Sequence, residues 1–243
     1  MSEGPRRGRP PRIGREDIAA AVLDVGFSEL TFAAVRERLG VGESTLYRHA
    51  PDRDALVRIG LDRALAEISW PPLDAPWRQL LESHAHAAWH ALAAHPGSAT
   101  EIARGVVPPR MTGLFARVGT ALMREGFTAE HAVLSGDLVF DLVTDNRRGI
   151  EQLDALVGAA GPGRAGVAEQ WAAGEVADGA GGGGPEAASH APETAELHAR
   201  VHAAIAAEPF AWFVSKLGVV LAGIDVTLAP PRGDTSKAGP DRA

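Results

Sequence analysis

The chain has 243 residues, of which 45% are apolar but only 5% are aromatic, and it carries a net charge of −7 at pH 7. This length allows one large or two modest domains, and the low aromatic content favours packed helices over sheets. Because the chain has no cysteine, a disulfide framework and a thiolate metal site are both excluded. We find neither a signal-peptide core nor an apolar run of about 18 residues, and therefore expect a cytoplasmic protein that does not enter a membrane.

The chain opens with a basic arm, residues 1–12, which we expect to be disordered. Five arginines within the first 15 residues are opposed only by Glu3. A basic arm on an acidic body is typical of nucleic-acid-binding proteins, although a solvated tail without a partner has the same composition. The candidate DNA contacts in the arm are Arg6, Arg7, Arg9 and Arg12.

Four short helices are predicted to follow, over residues 13–68. Apolar residues at helical spacing predict the first over 15–25. Thr31 is a predicted N-terminal cap for the second helix and Asp52 for the fourth, because their side-chain oxygens can accept from free backbone N–H groups. The third lies in GVGESTLYRH, residues 40–49.

The decamer GVGESTLYRH has the chemistry of a turn followed by a recognition helix. Gly40 and Gly42 predict a tight turn, and Leu46 is the single apolar anchor of a short helix that is otherwise polar. This pattern indicates a helix-turn-helix, whose second helix enters the major groove of DNA. Short polar groups suit base edges, whereas hydroxyls and cations suit phosphates.

The segment LTFAAVRERLGVGESTLYRHAPDRDAL, residues 30–56, resembles the DNA-binding signature of the TetR family of bacterial transcriptional regulators. An L-G-V turn precedes T-L-Y-x-H and a short loop into an A-L helix. The resemblance implies an all-α fold, with an N-terminal three-helix helix-turn-helix DNA-binding domain over 13–68 and a helical-bundle regulatory and dimerisation domain over 69–243. It also implies a transcriptional repressor without a cofactor or a catalytic site.

The resemblance assigns DNA contacts by position. Glu43, Ser44 and Thr45 match positions that face bases or adjacent phosphates. Tyr47 and His49 match backbone-contacting positions. The candidate DNA-binding residues outside the arm are Thr31, Glu43, Ser44, Thr45, Tyr47, Arg48, His49 and Arg53, of which Arg53 and Thr31 match phosphate-contacting positions.

Several of these residues have a second interpretation. Tyr47 is also suited to core packing, and His49 to ending a helix, where a cation complements the dipole. Glu43 would be repelled by phosphates and would need a donor such as a cytosine amino group. Arg36 replaces a small alanine of many relatives, and either a phosphate contact or a pair with Glu37 or Glu43 would explain it.

Residues 69–243 read as a helical body. The predicted helices lie near 77–94, 97–105, 110–125, 128–157, 194–207 and 209–228. Apolar stripes mark 128–157 and 209–228, and the corresponding helices of TetR-type proteins build a four-helix interface between two subunits. A homodimer that binds a pseudo-palindromic operator in double-stranded DNA is therefore expected.

Glycine-rich sequence interrupts this body at residues 158–192, where we predict a flexible loop. Trp171 lies within it and indicates either a short docked helix or a lid over a pocket. A disordered tail is predicted over 230–243.

The body of such a regulator is expected to bind a small-molecule effector of unknown identity. Its candidate pocket residues are Trp77, Trp89, Glu101, Phe115 and Phe140, each of which also suits ordinary core packing. No histidine matches the position that holds magnesium in tetracycline-sensing members. A regulator that answers to a protein partner is the alternative.

A zinc-binding helical protein is a remote alternative. Glu82, His86 and His90 are spaced at i, i+4 and i+8 with His84 nearby, and His198 and His202 form a second i, i+4 pair. The general-base glutamate of a zinc protease motif is missing from between these histidines. We therefore predict no metal site.

Overall fold

The computed structural model describes residues 13–158, 161–173 and 191–231. In chain order the elements are α1 Arg15–Val25, α2 Phe32–Leu39, α3 Glu43–Tyr47, α4 Arg53–Ala66, α5 Trp77–Ala94, α6 Ser98–Ala103, α7 Pro109–Arg124, α8 Ala129–Ala155, β1 Val157–Gly158, β2 Gly161–Pro162, α9 Gly163–Ala173, α10 Ala191–Ala206 and α11 Pro209–Thr227. The two short strands pair antiparallel. The predicted all-α fold class is confirmed, since the described chain is otherwise helices and their connections.

The described residues form two compact units. Unit 1 contains residues 13–69 and 91–113, and unit 2 contains 70–90 and the described residues from 114 onwards. These units are groups of residues that pack together. The domain boundaries at 13–68 and 69–243 stay a prediction.

Local capping chemistry sets the helix ends in unit 1. Thr31 Oγ1 accepts from the backbone N–H of Ala34 at 3.0 Å, and the Asp52 carboxylate accepts from that of Ala55 at 2.7 Å. Each cap satisfies a donor that the first helical turn leaves free. Both predicted caps are confirmed.

The core of unit 1 forms where α1 packs against α2 and α4. Gly60 on α4 allows a close approach, because a Cβ there would lie 2.4 Å from Val22 Cγ1 of α1. Helix α3 contributes Leu46 to this core, and this leucine anchors the helix. The fully buried apolar residues include Ile18, Val22, Val35, Leu46, Leu56 and Val57.

In unit 2, α8 packs against α11. The inner face of α11 buries Phe213, Leu217, Leu221 and Ile224. Its outer face leaves Trp212, Val219 and Val226 exposed, and α8 likewise exposes Val133, Leu134 and Leu138. Each of these two helices thus has an apolar face buried within the protomer and further apolar residues that no described residue covers.

Helix α11 is also long and apolar enough, at 19 residues, to cross a membrane by length and composition alone. This corrects the expectation that no apolar run approaches the length of a membrane span. Such a helix is weak evidence for a membrane, since core helices of the same composition are common. Its four fully buried side chains are those of a helix packed on its neighbours.

The predicted flexible loop over 158–192 is wrong for residues 163–173, which form α9. Glycine is concentrated after this segment, whereas the segment itself is rich in alanine, a strong helix former. Helix α9 packs against α10, and Trp171 contacts His198 edge-to-face at 6.0 Å. Of the two interpretations of Trp171, the docked helix agrees with this packing. The rest of the predicted loop from 174 to 190 lies outside the described residues.

Candidate DNA interface

The turn between α2 and α3 depends on Gly40. This residue ends α2 in the left-handed conformation, with φ +63°, which residues other than glycine rarely adopt. The N–H of Val41 then donates to the carbonyl of Arg36 at 3.3 Å, and Gly42 begins α3 in an extended conformation. Two short helices therefore meet at a fixed turn, as a helix-turn-helix requires.

The outer face of α3 is free of apolar packing except at Tyr47. Leu46 is fully buried, whereas Glu43, Ser44, Arg48 and His49 are exposed and Thr45 is half-buried. Arg48 Nη2 donates to Thr45 Oγ1 at 3.4 Å. The structure thus brings six of the predicted DNA contacts onto one short segment anchored by a single leucine.

Tyr47 combines its two predicted roles. Its ring stacks on Phe32, with centroids 4.6 Å apart and planes at 24°, so it fixes α3 to α2. The residue is nevertheless 47% exposed. The stacking on Phe32 explains why an aromatic residue stands here. Because the residue is also exposed, the phosphate contact is possible and stays a prediction.

Arg53 is not a free cation. Its Nη2 and Nη1 donate to Glu101 Oε1 at 2.7 Å and to Glu101 Oε2 at 3.0 Å, while Nε donates to the carbonyl oxygen of Leu30 at 3.0 Å. This is a bidentate pair within unit 1, the geometry that an arginine fork favours with a carboxylate. The predicted phosphate contact of Arg53 therefore competes with an internal partner, and it stays a prediction.

Glu101 is the buried member of this pair, with a side chain only 6% exposed. Burial alone would raise the pKa of Glu101, but the hydrogen bonds and charges of Arg53 and Arg104 outweigh it and hold the pKa below its ordinary value. The bond to Glu101 in turn raises the pKa of Arg53. Both groups are thus charged, and they join α6 to the start of α4. The sequence analysis missed this contact because it links positions 48 residues apart.

The remaining predicted contacts surround α3. Thr31 caps α2 with its hydroxyl oxygen and is exposed. Arg36 is also exposed, and it forms no salt bridge with Glu37 or Glu43, which leaves a phosphate contact as the open interpretation. The arm residues Arg6, Arg7, Arg9 and Arg12 lie outside the described residues.

Two of the predicted pocket residues, Trp77 and Trp89, pack against other aromatic rings. Trp89 is buried and stacks on Phe213 at 4.4 Å, and Trp77 contacts Phe127 edge-to-face at 5.6 Å. Phe115 and Phe140 are half-buried, and Glu101 belongs to unit 1 rather than unit 2. Their role in ligand binding stays a prediction.

Four histidines of the zinc alternative contact aromatic rings: His84, His86, His90 and His198. His86 and His90 both lie against Phe210, at 5.2 and 5.0 Å between ring centroids, and His84 stacks on Trp70 at 6.0 Å. Among the described residues, no three metal-ligating side chains come together. The zinc alternative has no site there.

Comparison with known proteins decides the kind of helix-turn-helix. The sequence model of the bacterial regulatory proteins of the tetR family matches residues 17–58, which include all of α2 and α3. The N-terminal domain is a TetR-family domain. No curated protein sequence matches the chain.

Solved TetR-family structures share the fold beyond this domain. ActR from Streptomyces coelicolor, in complex with actinorhodin, is 21% identical, with 87% of this chain and 95% of that chain covered and a TM-score of 0.70. A TetR variant from Acinetobacter baumannii AYE, in complex with minocycline, is 21% identical over 88% and 97%, with a TM-score of 0.59. BioQ with its natural double-stranded DNA operator is 20% identical over 59% and 90%, with a TM-score of 0.51.

The two kinds of match agree. The chain has the fold of a TetR-family transcriptional regulator, with the family's helix-turn-helix at its N-terminus.

Proposed function

We propose that this protein is a sequence-specific repressor that binds a pseudo-palindromic operator as a homodimer and is released by a small molecule. The observation that carries the proposal is the exposed polar face of α3 within the matched TetR-family domain. Ser44 and Arg48 lie at i and i+4 on this face and are both exposed. Side chains so placed can reach base edges when the helix lies in a major groove.

Phosphate contacts would surround this face. Thr31 at the start of α2, Tyr47 at the end of α3 and His49 just after it are exposed polar residues, and the basic arm precedes α1 in the chain. Arginines of such an arm are attracted to the negative potential of a narrow A·T-rich minor groove. The phosphate contacts would orient the protein on the DNA, and the side chains of the α3 face would recognise the base sequence.

The exposed apolar faces of α8 and α11 support a homodimer. Apolar residues stand along the outer side of both helices, with Val219 of α11 as much as 73% exposed. Exposed apolar faces of this kind mark interaction surfaces. A twofold dimer would present two copies of α3, which can read half-sites about one helical turn, 34–36 Å, apart.

Release by a ligand needs two states of the dimer. A molecule that binds better to the state with the wrong α3 spacing shifts the population away from the DNA-competent state. Two proteins of similar fold, ActR and a TetR variant, are solved in complex with the small molecules actinorhodin and minocycline, which supports a small-molecule effector for this chain. The protein is then cytoplasmic, and associated with the nucleoid while bound to DNA.

Selection from random DNA duplexes tests this proposal. The full-length chain should enrich sequences with two inverted half-sites whose centres are one helical turn apart, because each copy of α3 reads one half-site. Sequencing of the retained duplexes gives the result. Enrichment of a single short site, or of none, contradicts the dimeric operator-binding function.

A further inference from the structure

A cavity of about 460 Å³ lies within unit 2. Its walls come from the C-terminal half of α8, the first turn of α9, the end of α10 and the first half of α11. The volume falls within the range of about 300–1,000 Å³ that is usual for small-molecule sites. The walls are mainly apolar, with Ile150, Leu153, Val201, Ile205 and Trp212 among the lining residues.

One charged group in this cavity has no counter-charge. Lys216 Nζ donates to Asn146 Oδ1 at 2.7 Å, and Asn146 Nδ2 donates to the carbonyl oxygen of Leu142 at 2.7 Å, which fixes the amide. Within the described ranges, Lys216 forms no salt bridge with a carboxylate. Two of its three N–H bonds therefore remain for another acceptor.

The other charged lining residues are already paired. Arg164 Nε donates to Asp154 at 2.6 Å, and Asp145 accepts from Arg148 at 2.9 Å. Each pair is neutral as a whole, so Lys216 gives the cavity an excess of one positive charge. A half-buried ammonium beside apolar walls is stabilised by an anion that brings its own apolar surface.

The geometry points to an effector class: we propose that the cavity binds an apolar small molecule with one negative charge, whose anionic group contacts Lys216. This inference rests on the proposed release by a small molecule and names its chemistry. Trp212 provides a flat wall beside the ammonium, which lies 6.0 Å from its ring centre. The apolar part of the ligand would lie against this ring and the aliphatic side chains of α8 and α10.

Two dyes of nearly the same shape test the class of ligand. Anilinonaphthalene sulfonate has an aromatic body and one negative charge, and N-phenylnaphthylamine has the same ring system without the charge. Fluorescence titration of the full-length protein should give tight binding for the sulfonate and, in Lys216→Met, about tenfold weaker binding, because a charge-assisted hydrogen bond is lost. Binding of the neutral dye should change less than twofold.

Substitutions of two neighbouring alanines on α10 show whether the dye binds in the cavity. Ala204 lines the cavity, whereas its neighbour Ala203 is exposed. Ala204→Phe should fill the cavity and weaken both dyes at least about tenfold, while Ala203→Phe should leave both affinities unchanged. Equal effects of the two phenylalanines, or equal loss of both dyes in Lys216→Met, would overturn the proposed site.

The dye titrations test the anion site independently of the proposed DNA binding. Dye titrations are made without DNA, and operator binding is measured on the same variants without dye. A protein that fails to bind DNA but discriminates the dyes through Lys216 refutes the repressor and keeps the anion site. A protein that binds DNA but treats both dyes alike refutes the anion site and keeps the repressor.

Discussion

Val219→Glu should convert the protein from a dimer into a monomer and weaken operator binding by at least about a hundredfold. Val219 is 73% exposed on the outer face of α11, and a twofold axis would bring the new carboxylate of one subunit into the same interface as that of the other. Burying an unpaired charge costs several kcal/mol. A monomer then holds only one half-site.

Leu197→Glu is the matched control. Leu197 is 61% exposed on α10, outside the helices that we assign to the interface, so its replacement should change neither mass nor affinity. Light scattering after gel filtration gives the mass, and fluorescence anisotropy of a labelled operator gives the affinity. A dimeric Val219→Glu protein, or equal effects of the two substitutions, would place the interface elsewhere.

Arg53→Met should destabilise the protein by about 2–3 kcal/mol. The substitution leaves the buried carboxylate of Glu101 with Arg104 alone, and removing one partner of a buried pair costs about 3–5 kcal/mol when nothing replaces it. Arg104 Nη1 still donates to Glu101 Oε2 at 2.7 Å, which reduces the loss. Urea unfolding followed by circular dichroism measures the change.

Two further variants separate burial from charge. Arg53→Met combined with Glu101→Met should lie within about 1 kcal/mol of the native protein, because an apolar pair carries no stranded charge. Arg38→Met removes an exposed ion pair with Asp24 and should cost less than about 1 kcal/mol. If Arg53→Met lowered the free energy of unfolding no more than Arg38→Met does, the buried pair would not stabilise the fold. The double variant also shows whether Arg53 contacts phosphate, because it removes the cation without unfolding the domain.

The helix-turn-helix segment was predictable because its sequence signals are local. The caps Thr31 and Asp52 and the turn at Gly40 depend on residues within a few positions of each other. The family resemblance, carried by the same short segment, is confirmed by the match over residues 17–58. Helices of the body were likewise placed by spacing to within a few residues of their observed ends.

Contacts between distant positions were not predictable in the same way. The family resemblance predicts that Arg53, at the start of α4, contacts phosphate, and no residue near it in the sequence indicates its pair with Glu101. Lys216 stood within an apolar stripe, and its cavity exists only because α8, α10 and α11 come together. The extent of helix α9 was not predictable, because the glycines that follow it dominate the composition of the segment, and Trp171 alone indicated either a docked helix or a lid.

The most direct test of the central claim, that the outer face of α3 reads DNA, is the affinity of a double variant for the selected operator. Ser44→Ala with Arg48→Ala removes two exposed side chains and leaves Leu46 and the stacked Tyr47 in place. A control variant, Ser69→Ala with Arg200→Ala, removes the same two residue types from exposed positions outside α3, α8 and α11. Anisotropy titrations should show about a hundredfold loss for the α3 variant, since a base contact is worth about 1–3 kcal/mol in each half-site. Unchanged affinity in a folded α3 variant, or an equal loss in the control, would contradict the account.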